Sequence, residues 1–319
     1  MASICISVII PVYKGAETLA AVVANVAQFF EVRTTPTGHQ IIINEVLLVH
    51  DCGPDDSASK IKEIALLHHQ IRPVWLTKNF GQHAATIAGM SSATGDWVVT
   101  MDEDGLHNPS DIVLLIDCAL NNDYQVVYAM AENAGSHGIF RNWASNTSKL
   151  IGRWIAGNEY IQYFHSYRLV QGEIARALAA YCGNGVYLDV ALLWIAGRIG
   201  RQPLKMSAIE TRPSGYNFWK LIMHFRTMLI TMGTRPLHLI TFLGAFSVFL
   251  ALVIGCYVIY QKFYGKLDVA GWASLVITIS FFSGCIMLAL GMLAEYIAMS
   301  MGIAMGKPLY VISSKPSSK

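Results

Sequence analysis

Trp97-Val98-Val99-Thr100-Met101-Asp102-Glu103-Asp104 joins a short apolar run to three consecutive acids. A run of this length, rich in β-branched residues, reads as a buried strand. The acids at its exit place hard oxygen ligands at the carboxyl edge of a sheet, where open α/β sheets bind their ligands. Two carboxylates one residue apart, Asp102 and Asp104, reach a single divalent cation if the turn bends both inward. A bound diphosphate calls for such a cation.

Working outward, the same alternation recurs along the chain. Ile4 to Ile10 reads as a buried strand stopped by Pro11, and Leu19, Val22, Val23, Val26 and Phe30 fall at helical spacing within Glu17 to Phe30. Glu45 to Val49 and Val74 to Leu76 read as the second and third strands. Between them runs a helix capped by Asp55 or Asp56 and reaching about Gln70. His83 to Ser92 is a helix, Trp97 to Met101 the fourth strand, Pro109 the start of the next helix, and Gln125 to Ala129 the fifth strand. Strands alternating with helices of this length imply right-handed crossovers and a mainly parallel sheet, so the fold class is α/β. From about Gly135 to Gly183 the pattern is helical, and Leu204 to Ile209 is expected as a further strand.

The composition adds a membrane. The 319 residues are 54% hydrophobic and only 14% charged, with a mean hydropathy of +0.43, high for a purely soluble protein. A net charge of +2 gives no footing for nucleic acid. The six cysteines show no metal-type spacing and read as reduced and mostly buried, consistent with a cytosolic catalytic domain. The N-terminal apolar run is short and lacks a basic leader, so it reads as a strand and not as a signal peptide.

Leu237 to Tyr260 and Val269 to Ala294 contain no Asp, Glu, Lys or Arg, and each exceeds the roughly 20 residues that cross a hydrocarbon core. The short loop Gln261 to Asp268 makes them a hairpin with both flanks on one side. Lys220, Arg226, Arg235, Lys307, Lys315 and Lys319 lie outside it, against Lys262 and Lys266 in the loop. The positive-inside bias then puts the large domain and both termini in the cytoplasm, at the inner (plasma) membrane. Tyr216 to Met232 reads as an amphipathic helix on the bilayer surface, with a packed helix of the soluble domain as the alternative. The expected organisation is a domain over 1–215, an interfacial segment over 216–235, a transmembrane hairpin over 236–295 and a tail over 296–319. Gly244, Gly255, Gly284 and Gly291 suit close helix packing and assembly into a homo-oligomer.

Three further strand ends accompany the acids: Pro11-Val12-Tyr13, Asp51, and Lys78-Asn79-Phe80-Gly81. All fall on one edge of the expected sheet, where Asp51 can accept hydrogen bonds from a base or ribose and Tyr13 can stack on the base.

These stretches carry a resemblance. Ile9-Ile10-Pro11-Val12-Tyr13, Val49-His50-Asp51-Cys52-Gly53-Pro54-Asp55, Lys78-Asn79-Phe80-Gly81-Gln82-His83 and Met101-Asp102-Glu103-Asp104 resemble successive motifs of family 2 glycosyltransferases with the Rossmann-like GT-A fold. More closely, the chain is similar to polyprenyl-phosphate glycosyltransferases, which include dolichyl-phosphate mannose synthases and bacterial undecaprenyl-phosphate sugar transferases. The similarity continues through Ser166-Tyr167-Arg168-Leu169, Glu210-Thr211-Arg212-Pro213-Ser214-Gly215, Glu295-Tyr296 and Lys307-Pro308-Leu309-Tyr310-Val311.

The resemblance implies inverting transfer of a sugar from a nucleotide diphosphate-sugar, by default UDP-glucose, to undecaprenyl phosphate. By position, Pro11, Tyr13 and Asp51 would hold the nucleoside, with Lys78 and Glu103 in the donor site. Asp102 and Asp104 would hold Mg²⁺ or Mn²⁺, and Arg168 and Arg212 would face phosphates. Arg141 and Arg153 are weaker candidates for the same role. Asp189 is the spare acid for a sugar hydroxyl.

The chain departs from the pattern at His50, where relatives often carry a second aspartate, at Leu106, where they often carry a metal-side Gln, and at Asn217-Phe218-Trp219. His107 or water is the candidate to replace that Gln. Two other readings stand beside this one. A processive polysaccharide synthase would need more helices and a Gln-x-x-Arg-Trp motif that the chain lacks. A non-catalytic nucleotide-sugar-binding subunit would rest on Leu106 and the 217–219 loop.

Overall fold

The structure is a computed structural model and describes residues 3–131, 160, 163–183, 186–204, positions 244, 246, 249, 253, 256, 257 and 260, and 271–316. In chain order these form β1 (Ile4–Val12), α1 (Leu19–Ala27), β2 (Arg33–Thr34), β3 (Gln40–His50), α2 (Ser57–Leu67), β4 (Ile71–Leu76), α3 (Gln82–Ser92) and β5 (Trp97–Thr100). A 3-10 turn (Pro109–Asp111), α4 (Ile112–Asn122), β6 (Val126–Ala131), β7 (Arg168–Gln171), α5 (Gly172–Tyr181), α6 (Leu188–Ile195), β8 (Ile199–Leu204), α7 (Trp272–Ala304) and β9 (Ile312–Ser313) follow.

β1 shows why this is a three-layer α/β fold. Ile6, Val8, Ile9, Ile10 and Val12 are all fully buried, the near-continuous apolar run of a strand covered on both faces. Because successive side chains alternate, Ile6, Val8, Ile10 and Val12 enter one core, with α1, α2 and α4. Ile9 enters the other, with α3, α5 and α6. Gly89 of α3 rides so close to β1 that a Cβ there would lie 2.4 Å from the Ile9 side chain.

The strand order is β8-β6-β7-β5-β1-β3-β4-β9, with β2 on β3. β5, β1, β3 and β4 are mutually parallel, as expected, so their carboxyl ends share one edge. β6 and β8 are parallel to each other. β7 lies antiparallel between β5 and β6.

One expectation is corrected. The helical pattern over 135–183 contains a strand, β7, too short for any periodicity to register. A strand, β8, occupies Ile199–Leu204, and of the strand expected at Leu204 to Ile209 all but Leu204 lies outside the described residues. Gly200 and Pro203 argue against a strand by composition, but among the described residues β8 borders β6 alone, and an edge tolerates both.

Glu45 pins the middle of the sheet. Its buried carboxylate accepts from Ser7 Oγ at 2.6 Å, Thr94 N at 2.6 Å and Thr94 Oγ1 at 2.9 Å, and it pairs with Arg72. Burial alone would raise its pKa, but these donors outweigh burial and hold it below the ordinary value of 4.5. A depressed carboxylate contributes stability above its unfolded pKa and loses it as pH falls through the folded one. Glu45→Gln should therefore destabilise at neutral pH by about 1–3 kcal/mol. The gap to the parent should close in acid unfolding below about pH 4.5.

Among the described residues, one helix is long and apolar enough to cross a membrane: the Phe281–Ala304 part of α7, with mean hydropathy 1.8 and none of it buried. Leu275, Ile279, Phe281, Ile286, Met287, Leu290 and Ile297 are exposed along it, the reverse of a soluble core helix. α7 continues ten residues past the expected end at Ala294. The described positions of the first apolar span are helical and exposed. The 261–268 loop, the 216–232 segment and the 210–215 motif lie outside the described residues.

Candidate active site

The β1 and β3 exits meet first. Cys52 takes a left-handed φ of 50°, and the chain then passes so close to β1 that a Cβ on Gly53 would lie 1.6 Å from the Tyr13 carbonyl oxygen. Only glycine fits there. Beside this crossing is a cavity of about 480 Å³ lined by His50, Cys52, Gly53, Pro54, Asp55, Asp56 and Ala58, within the size range of small-molecule sites. Tyr13 is exposed next to it, while Pro11 stays in the strand, paired with Val49.

Asp51 is buried, and its two carboxylate oxygens accept from the backbone N–H groups of Phe80, at 2.7 Å, and Gly81, at 2.8 Å. Burial raises its pKa against the pull of those donors. Gly81 holds φ 91° to begin α3, a conformation that favours glycine. Asp51 is thus the clamp on the 78–81 loop, and Lys78 in that loop is exposed with Nζ 5.1 Å from the Phe80 ring centroid.

The three acids divide their work. Glu103 turns inward and accepts from Tyr13 N and Lys14 N, both at 2.9 Å, and its carbonyl accepts from Thr18 Oγ1 at 2.6 Å. Burial raises its pKa, and the neighbouring charges of Asp55 and Asp102 add to the rise. Glu103 therefore staples β5 to β1, leaving Asp102 and Asp104 as the outward carboxylates.

Asp102 accepts from Gln82 Nε2 through Oδ1 and from Ser166 Oγ through Oδ2, both at 2.6 Å. Its backbone N–H donates to His107 Nδ1 at 3.0 Å. His107 is buried and stacked on Tyr167, centroids 4.8 Å apart and planes at 13°. Burial lowers its pKa despite the two nearby aspartates, so it is neutral and accepts at Nδ1. Asp104 is exposed, and its Oδ1 accepts from Leu106 N at 3.0 Å across a turn made by Gly105, φ 76°.

Arg168 and Asp189, expected at a phosphate and a sugar, are brought together instead. Both are buried. The guanidinium pairs with Asp189 Oδ1, which also accepts from Tyr128 Oη at 2.9 Å, and Arg168 Nε donates to Thr100 Oγ1 at 3.2 Å. Burial works against the arginine's charge, but Asp189 outweighs it and the pKa lies above the ordinary value. Arg168 lies on β7 opposite Thr100 of β5, which is two residues before Asp102. Arg212, Arg141, Arg153 and the 217–219 loop lie outside the described residues.

Gln82 and Ser166 were not singled out individually by sequence reasoning. Both occur in stretches that carry the resemblance, but nothing in one dimension says that they converge on Asp102 from 20 and 64 positions away.

The donor set suits a hard divalent ion. Among the described residues no lysine or arginine forms an ion pair with Asp55, Asp102, Glu103 or Asp104, and the nearest base is His107, Nε2 3.9 Å from Asp102. No group of three or more His, Cys, Asp or Glu among those residues is placed to enclose an ion. Two carboxylates with the remaining positions left to water and phosphate is how Mg²⁺ is commonly held.

A mainly parallel sheet whose carboxyl edge gathers a cavity of this size and an Asp-x-Asp pair has the form of an open α/β ligand site. The chain belongs to glycosyl transferase family 2, whose model matches residues 7–182, more than half of it. It is 28% identical over 313 residues to undecaprenyl-phosphate 4-deoxy-4-formamido-L-arabinose transferase of Klebsiella pneumoniae, across 96% of this chain and 92% of that one. It is 22% identical over 310 residues to a prophage bactoprenol glucosyl transferase homolog of Escherichia coli, across 96% and 98%. Among solved structures, glucosyl-3-phosphoglycerate synthase of Mycobacterium tuberculosis, in complex with Mn²⁺, UDP-glucose and phosphoglyceric acid, superposes with a TM-score of 0.50 at 16% identity, covering 73% and 79%. That likeness is one of fold.

Proposed function

We propose that this enzyme transfers a sugar from a nucleotide diphosphate-sugar to a polyprenyl phosphate, with inversion, at a membrane surface. The observation that carries the reading is the placement of Asp102 and Asp104 at the β5 exit, neither of them ion-paired with a described lysine or arginine. The relatives named for undecaprenyl-phosphate and bactoprenol transfer support the acceptor, since the match runs over nearly their full length. The exposed apolar surface of α7 supports a membrane anchor, and the span before it, 237–260, supports a hairpin with the catalytic domain on the cytoplasmic side.

In this reading the cavity beside Tyr13 and Gly53 takes the nucleoside, with Pro11 in the strand that leads to Tyr13 and Asp51 holding the neighbouring 80–81 backbone. Lys78 lies at the donor's edge. Asp102, oriented by Gln82 and Ser166, and Asp104 would hold Mg²⁺ or Mn²⁺. When bound, that ion supplies Lewis-acid stabilisation of the departing diphosphate. The acceptor is a phosphate monoester, whose second pKa is about 6, so it is largely dianionic at neutral pH. No side chain has to act as a strong general base, in keeping with an Asp189 already committed to Arg168 and Tyr128. Arg212 is proposed to steady the paired phosphates. One in-line displacement inverts the anomeric carbon and gives a β-linked lipid product from an α-linked donor.

The test is a donor screen in detergent with undecaprenyl phosphate, reading nucleoside diphosphate release and product size. UDP-glucose is the first donor to try. The expected result is metal-dependent release and one sugar per lipid. A polymer would mean a processive synthase, and metal-dependent donor binding with no release from any donor would mean a non-catalytic subunit.

A further inference from the structure

We infer that residues 77–82 are a positioning segment through which the strand following the long apolar helix sets the geometry of both donor-site aspartates. After α7 the chain does not trail away. Gly306, φ 64°, closes the helix end, with Gly306 N donating to the Ile303 carbonyl and Lys307 N to that of Gly302. Six residues after Gly306, β9 begins and pairs antiparallel with β4, Ile312 opposite Leu76 and Ser313 opposite Trp75. Leu309 and Tyr310 pack against the core on the α3 side of the sheet. The helix end also meets the catalytic unit directly, since a Cβ on Gly183 would lie 3.3 Å from Ile303.

The pairing ends where the donor loop begins. Thr77 N donates to the Val311 carbonyl at 3.1 Å. Three residues on, the N–H groups of Phe80 and Gly81 hold Asp51, and the next residue, Gln82, holds Asp102. One run of six residues thus touches the tail at its first position, the nucleoside-side aspartate at its fourth and fifth, and the metal-side aspartate at its sixth. A strand that merely covered the β4 edge would have no consequence at either aspartate. A segment anchored at Thr77 has both. If β9 is released, Thr77 loses its acceptor, the loop gains freedom, and the donors that orient Asp51 and Asp102 drift.

The kinetic consequence rests on the glycosyl-transfer reading, whereas amide exchange does not. The experiment compares the full chain with a variant lacking residues 307–319 and with the Leu309→Ala, Tyr310→Ala double variant, each in detergent micelles. Lys315→Ala serves as a control outside the pairing. Amide exchange at Thr77, Phe80 and Gly81 should speed up by about tenfold, the scale of one lost hydrogen bond. Thr37, whose N–H donates to Asp117 far from the tail, should not change. KM for the nucleotide sugar should rise by roughly three- to tenfold on the same scale, with KM for the polyprenyl phosphate unmoved. Faster exchange at Thr77 alone, or unchanged donor KM with faster exchange at all three amides, overturns the inference. Faster exchange at all three amides in the variants, with a parent chain that turns over no donor, would support the relay and count against the glycosyl-transfer reading alone.

Discussion

Asp104→Ala should cut sugar transfer by about a thousandfold, the scale of losing the ligand that holds transition-state charge stabilisation in place. Asp104 is exposed, and its one described hydrogen bond is a local turn contact to Leu106 N. Removing it leaves no buried group unpaired, and the melting temperature should stay within about 2 °C of the parent. Asp102→Ala would be a poorer probe, because it also strands Gln82 and Ser166. Initial rates over a Mg²⁺ and Mn²⁺ titration decide the matter. Full activity of purified Asp104→Ala in added Mn²⁺ would remove the metal role from this residue.

Arg168→Met should destabilise the protein by about 3–5 kcal/mol, because it leaves the Asp189 carboxylate buried without its cation. The loss belongs to the unpaired charge and not to the arginine's shape. The double variant Arg168→Met, Asp189→Asn should therefore recover most of it, since asparagine keeps an acceptor for Tyr128 Oη. Denaturant unfolding of the two single variants and the double closes the cycle. Equal destabilisation in the single and double variants would show that the pair contributes through packing alone. If Arg168 touches a phosphate directly, the double variant should regain stability without regaining turnover.

The layout of the sheet was legible because burial on both faces writes itself into composition. β1, β3, β4 and β5 are apolar runs with charged or glycine-rich exits, and their order along the chain alternates with helical spacing. β7 was not legible. Arg168-Leu169-Val170-Gln171 has two apolar residues and becomes a strand only because β5 and β6 offer free edges on both sides. β8 was not legible for a related reason, since an edge position excuses the glycine and proline that composition reads as breakers.

The candidate site divides in the same way. Asp102, Asp104, Asp51 and Tyr13 were recognisable from their place after strands, which is a local property. Asp51's grip on the 80–81 backbone, Glu103's turn toward the β1 exit and the burial of Arg168 against Asp189 depend on partners between 21 and 90 positions away.

Chain order and hydrophobicity alone determined an α/β unit with its acids on one edge and apolar spans near the end, because both features follow from periodicity and length. The tertiary structure alone decided which acid faces outward, which arginine is sequestered, and that the tail returns to pair with β4 beside the 77–81 loop. Each of these rests on contacts between distant segments, and such contacts form only after the chain has closed on itself.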